Sequence, residues 1–322
     1  MTRFVIKRLA AAVFVLVSIS ILVFLIFFAT PGVDPAARIA GRNADQLTLQ
    51  QVRATFDLDK PLHIRYVSMM KHLFIDRDLT SYVNRGAEVL PQLTQAIPAT
   101  LSLVFGAAII WLFLGLVLGI TAAGMRKSWV DPAIGIIGII GVSLPVYWLG
   151  EVVNLITQGR LHATLFRWVP PLGYVPFTES PGGWFLALLF PWLTLSLLYA
   201  GIYIRVIRSE IVSLMQEDFI KTERAKGAGE KRILIKHASR MSLITVVSLF
   251  RLDFGALVGG SALLTEVVFG IQGVGRLTFT ALQNFDLPLI MATVMYAAFF
   301  IVIANAIVDL VYAWIDPRVR RG

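Results

Sequence analysis

Any chemistry this chain performs must come from a few residue groupings, and each can be checked against the spacing its chemistry needs. A phosphate-cradling loop requires G-x-x-x-x-G-K-[ST] between a strand and a helix. The stretch GAGEKR, Gly227 to Arg232, offers glycines and a lysine but fails that spacing, and GIQGVG, Gly270 to Gly275, lacks the G-x-G-x-x-G order. His63, His72, His162 and His237 lie far apart without H-E-x-x-H spacing, so no metal site is predicted. There is no G-x-S-x-G elbow, and zero cysteines exclude disulfides, haem thioether links and thiolate metal sites. The chain is therefore expected to have no catalytic residues, to bind no cofactor itself and not to be an enzyme. Two groupings remain: a dense charged segment, DFIKTERAKGAGEKR from Asp218 to Arg232, and the pair Arg251 and Asp253 inside an apolar run.

The elements that position them are membrane helices. Apolar residues make up 57% of the 322 and charged residues only 15%, well below a soluble domain's share. Charge-free runs cover Leu9 to Val33, Val89 to Met125, Pro132 to Gly150, Ser180 to Ile204 and Leu287 to Val308; Met241 to Thr265 is a sixth, apart from Arg251 and Asp253. About 20 apolar residues cross the hydrocarbon layer as a helix, so six spans are predicted, in an all-α polytopic membrane protein. The runs do not alternate as barrel strands would. The first run is too long for a signal-peptide core and is read as a retained helix. With the N-terminus inside, 17 of the 29 basic residues fall on inner segments, so both termini are expected in the cytoplasm. Topology then accounts for the net charge of +9, and nucleic-acid binding is not needed to explain it.

This divides the chain into a first helix (1–33), an outer segment with short surface helices (34–93), a five-helix core (94–316) carrying an inner loop (205–240), and an inner tail (317–322). In the outer segment, TLQQVRATFDL has helical spacing with Thr48 as its cap, and LHIRYVSMMKHLF is amphipathic. Glycines in the second and third helices suit close packing in lipid, and Pro145 should kink or break the third. VPPLGYVPFTESPGG, Val169 to Gly183, reads as an outer loop.

The inner loop is far longer than a hairpin between membrane helices requires. It carries nine basic residues against Glu210, Glu217, Asp218, Glu223 and Glu230. Its spacing predicts an amphipathic helix of about Val212 to Lys226, stopped by Gly227 and Gly229, one of them left-handed, then a second helical stretch, Glu230 to Ser239. Charge alone would suit lipid headgroups. The mixed signs and the glycine break instead suit a protein partner with a groove.

The segment EDFIKTERAKGAGEKRILIKHASRMSLI closely resembles the cytoplasmic EAA loop of ABC-importer permeases of the dipeptide/oligopeptide family, with Gly227 as its central glycine. The resemblance covers nearly the whole chain. DLDKPLHIRY looks like that family's outer-loop motif, IPATLSL like the start of its second helix and SLPVYWLG like its third; TEVVFGIQGVGRL resembles the link before the last helix and VDLVYAWIDPRVR the ending. Glu223 stands where the family usually has alanine, and Gln272 where a proline is common. The resemblance implies the type I ABC importer transmembrane fold in a bacterial or archaeal cell membrane. It also implies four kinds of partner: a second homologous permease, two ATPase domains on one or two chains, an extracytoplasmic substrate-binding protein and a peptide cargo. ATP and Mg2+ would sit on the ATPase subunits. The short helix would be the coupling helix, with Glu217, Asp218, Phe219, Ile220, Lys221, Thr222, Glu223, Arg224, Ala225, Lys226 and Gly227 forming the docking loop.

Arg251 and Asp253 are two residues apart, so they point to different helix faces and are not expected to pair with each other. An ionisable group within a span marks either a polar path or a bond to a neighbour. Both readings stand for Asp253 and Arg251, as does a place for Pro145 on the path. Other cargoes of the same family, such as nickel chelates, opines or glycosides, are a second reading. A stand-alone secondary transporter or channel is a third. The long inner loop and the lack of an internal repeat speak against it.

Overall fold

The computed structural model describes residues 2–28, 35–40, 45–55, 58–84 and 86–315. The expected inner tail, 317–322, and the closing motif beyond Ile315 lie outside the described residues.

The long apolar runs fold into α1 (Thr2–Phe28), α5 (Val89–Gly124), α8 (Pro181–Leu214), α11 (Ser239–Ala256) and α14 (Leu287–Ile315). Short helices α2 (Pro35–Ala40), α3 (Gln46–Thr55) and α4 (Leu62–Lys71) fill the outer segment. Next come α6 (Val130–Ser143), α7 (Val146–Thr157), α9 (Asp218–Ala225) and α10 (Glu230–Arg232), and last α12 (Leu263–Val268) and α13 (Val274–Gln283). Two π-helical turns, Ile233–Ala238 and Leu257–Ser261, flank α11 and make one continuous apolar span of Glu230–Ser261.

Among the described residues, five helices are long and apolar enough to cross a membrane, and the bent pair α6–α7 makes a sixth span if it counts as one. The bend is 97°, sharper than a kink, and Pro145 sits at it. Proline cannot donate to the α6 ladder and restricts Leu144 to extended backbone (φ −93°, ψ 127°), so α6 ends there and α7 starts afresh. At 1.5 Å per residue the two pieces are only about 21 Å and 18 Å long, each short of the hydrocarbon thickness.

Close backbone approach organises the core around α5 and α8. A Cβ on Gly115 would stand 2.6 Å from Tyr203 Cβ, and one on Gly119 would stand 2.9 Å from Ile207. Gly138 of α6 faces Gly201 of α8 in the same way. Burial cannot drive helices together in lipid, so this contact is what binds α5, α6 and α8. A second cluster joins Phe24 of α1, Met69 of α4, Leu93 of α5 and Met291 of α14. The outer segment is pinned to it by Asp286, which accepts from Ser81 Oγ and from Tyr82 N–H at 3.0 Å, and by a 2.6 Å hydrogen bond between Ser20 and Tyr66 hydroxyls.

Two boundaries differ from expectation. Asp45, rather than Thr48, caps α3: its carboxylate accepts from Thr48 N–H at 2.9 Å, and the helix starts at Gln46. The inner helix does not run from Val212 to Lys226. Burial of Ile207 and Ile211 carries α8 through to Leu214, and a separate two-turn helix, α9, begins at Asp218.

Candidate functional site

The docking loop named from sequence falls on one continuous feature. Glu217 is the extended residue before α9, and Asp218 to Ala225 form the helix. Lys226 and Gly227 end it. Of Gly227 and Gly229, one of which is expected to be left-handed, it is Gly227 that adopts that conformation, with φ +85°. Its N–H donates to Arg224 O at 2.9 Å and Ala228 N–H donates to Glu223 O at 3.1 Å, which satisfies the last carbonyls as a Schellman turn does.

One side chain fastens α9 to the bundle. Ile220 is 0% exposed, and the helix packs on the Ile233–Ala238 turn that leads into α11. Asp218, Phe219, Lys221, Thr222, Arg224 and Ala225 all remain exposed. Lys221 pairs with Asp218 at 2.7 Å, while Arg224 grips both carboxylate oxygens of Glu230 at 2.6 and 3.1 Å. Glu223, the departure from alanine, turns toward the bundle: Lys226 Nζ lies 2.9 Å from one oxygen and His237 Nε2 4.0 Å from the other. The Lys226 hydrogen bond holds the Glu223 carboxyl below its usual range, with the His237 and Arg232 charges acting in the same direction. The surface left open therefore carries an aromatic ring and both signs of charge.

The three other sequence candidates are not part of this feature. Pro145 is exposed at the α6–α7 bend. Arg251 and Asp253 are half-buried within the Glu230–Ser261 span, where Asp253 Oδ2 accepts from Tyr203 Oη of α8 at 2.9 Å. The bond to a neighbouring helix is thus present.

Sequence reasoning missed three buried carboxylates. Glu266, in α12, is 0% exposed; Oε1 accepts from Thr100 Oγ1 of α5 at 2.6 Å and Oε2 from Arg276 N–H at 2.8 Å. Thr100 in turn accepts from Val274 N–H at 2.8 Å, so carboxylate and hydroxyl together cap the first turn of α13. Asp131 receives Arg208 at both oxygens, joining α6 to the C-terminal part of α8. Asp286 is the third. The only sequence signal was an acidic residue within or beside an apolar run.

Residues 115–321 match the family described as binding-protein-dependent transport system inner membrane component, and residues 1–104 match that family's N-terminal region. The chain belongs to this family. It is accordingly a multi-pass membrane protein and a permease component of a binding-protein-dependent, ABC-type transport system. Among its relatives, a Brucella abortus protein named as a peptide transport system permease is 35% identical over 320 residues, covering 99% of both chains. DdpB of Escherichia coli K12, named a probable D,D-dipeptide transport system permease protein, is 34% identical, covering 98% of this chain and 97% of its own. The glutathione transport system permease GsiC of Salmonella choleraesuis is 33% identical, covering 99% of both chains. The family fold thus agrees with the architecture above, including the type I importer fold expected from sequence.

Proposed function

We propose that this chain is the permease subunit of an ATP-driven importer for short peptides in the bacterial inner membrane. It would work with a second related permease, two ATPase domains and an extracytoplasmic binding protein that delivers the cargo. The relatives named for peptides, a D,D-dipeptide and glutathione support a cargo with peptide bonds. ATP and Mg2+ belong on the ATPase subunits, and this chain's own part is to convert their motion.

The observation that carries the reading is the build of α9. An amphipathic two-turn helix stands off the bundle, displays Phe219 among mixed charges, and is fastened by Ile220 to the turn that becomes α11. A groove that gripped the open surface would push on α11 through one buried side chain and one capped turn. Closure of the ATPase dimer would move the span, and the path would switch between inward-facing and outward-facing arrangements.

Gly227→Val tests this in the reconstituted complex. Nothing lies within 4 Å of a Cβ at Gly227, so the harm is confined to the left-handed backbone. The variant should insert and assemble, keep ATP hydrolysis and lose cargo-linked uptake. Uptake coupled as in the unaltered complex would count against the reading.

A further inference from the structure

Six carboxylates are buried or half-buried in the described structure: Glu223 belongs to α9, the Glu210 side chain near the end of α8 carries no hydrogen bond among the described residues, and of the other four one is bonded differently from the rest. Asp131 is held at both oxygens by Arg208, Glu266 at both by Thr100 and Arg276, and Asp286 at both by Tyr82 and Ser81. Asp253 is held at Oδ2 alone, by Tyr203. Among the described residues it has no second polar partner and no cation, although it lies well inside a membrane span. A carboxylate serving only to tie two helices would be satisfied as the other three are, because an open oxygen at this depth is costly. Turned toward lipid, that cost would go unrelieved. The half-exposed side of Asp253 is therefore expected to meet water, a charged visitor or a polar group of the second permease.

Its surroundings fit the charged visitor. Trp111 and Tyr203, both fully buried, form a wall. Against it stand half-buried rings: Tyr199 lies 4.9 Å and Phe250 6.0 Å from Trp111, and Phe254 stacks on Phe250 at 5.0 Å. Phe105 of α5 closes the row, edge-on to Phe254 at 5.0 Å. Tyr203 links Asp253 to this aromatic row, and rings near a carboxylate that is short of one partner suit an organic ammonium, which gains from the ring quadrupole and from the charge.

We infer that Asp253, tied through Tyr203 to the aromatic row of Trp111, Tyr199, Phe250 and Phe254, is a cation-accepting station on the cargo path, taking the ammonium end of a peptide in passage. This rests on the proposed peptide importer. Tyr203 acts as a positioning residue that aims the carboxylate, and the α5–α8–α11 side carrying these rings is the one turned toward the path.

The absence of cysteines in this chain permits a direct test in the complete reconstituted importer during ATP turnover, with the importer carrying the unaltered chain as the background for thiols on other subunits. Phe250→Cys, with Tyr199→Cys as a second variant, is labelled by two water-soluble methanethiosulfonates, one bearing trimethylammonium and one bearing sulfonate. The cationic reagent should react several-fold faster, and Asp253→Asn should abolish that preference. A peptide with a free amino end should slow labelling, whereas its N-acetylated form should not. No reaction at either position, or equal rates with Asp253 intact, would overturn the station. So would normal peptide uptake without protection by the free-amine peptide. An importer that takes up no peptide would instead remove the peptide reading, leaving the charge preference alone to decide whether Asp253 receives cations.

Discussion

The helix α9 and the hairpin α12–α13 are both short, charged and attached to long membrane helices, yet they are built on opposite principles. α9 shows its ion pairs to solvent, where such pairs contribute little, and Ile220 is its one fully buried anchor. The hairpin hides its one acid completely and binds it with neutral donors from α5 and from the start of α13. One end of the molecule can exchange partners at small cost; the other is fixed to the bundle. Motion applied at α9 would therefore be expected to reach the spans without loosening the hairpin.

The largest effect expected from breaking this contrast is at Glu266. Glu266→Ala would strand Thr100 and the first N–H groups of α13 away from water, at roughly 3 kcal/mol or more given the cost of each unmet buried group. The purified complex should melt well below the unaltered one, and hydrogen exchange over 263–283 should rise. Ile220→Ala comes next: truncating a buried isoleucine costs about 2–5 kcal/mol, spent here on α9 alone. Faster exchange confined to 218–226 with unchanged melting of the bundle would bear this out; a fall in global stability would blur the contrast. Gly227→Ala should cost about 1–2 kcal/mol through its left-handed backbone, read as partial uncoupling of uptake from hydrolysis.

The smallest effect belongs to Glu223. Because its folded-state acidity is strengthened by Lys226, any stabilisation is present above the ordinary carboxylate range and is lost as pH falls through the lowered value. Glu223→Ala should leave melting at neutral pH within error and remove only a small acid-side difference, most visible at low salt.

Much of this was legible in the chain. Continuous apolar runs specified the spans, because lipid admits helices and little else. A left-handed stop at Gly227 or Gly229 was legible, since the charged segment ends its helical pattern there, but which of the two glycines takes it was not. The 97° bend was not, because Pro145 announces a broken ladder without fixing the direction in which the chain resumes. The true start of α9 was hidden because Val212 and Leu214 extend the pattern of both helices, and only burial of Ile211 assigns them to α8. Glu266 escaped notice because its partner Thr100 lies 166 residues earlier. An acid at the edge of an apolar run looks like a boundary until the fold brings its donors together.

The most direct test of the central claim is a cross-link. Phe219→Cys gives the chain a single thiol on the open face of α9, and a short bifunctional reagent is applied to the complex in native membranes with and without ATP. The account predicts a covalent product with the ATPase subunit whose yield changes with nucleotide, and uptake that stops once the link forms. A thiol that reacts only from the outer side of the membrane, or a cross-linked complex that imports at its full rate, would contradict it.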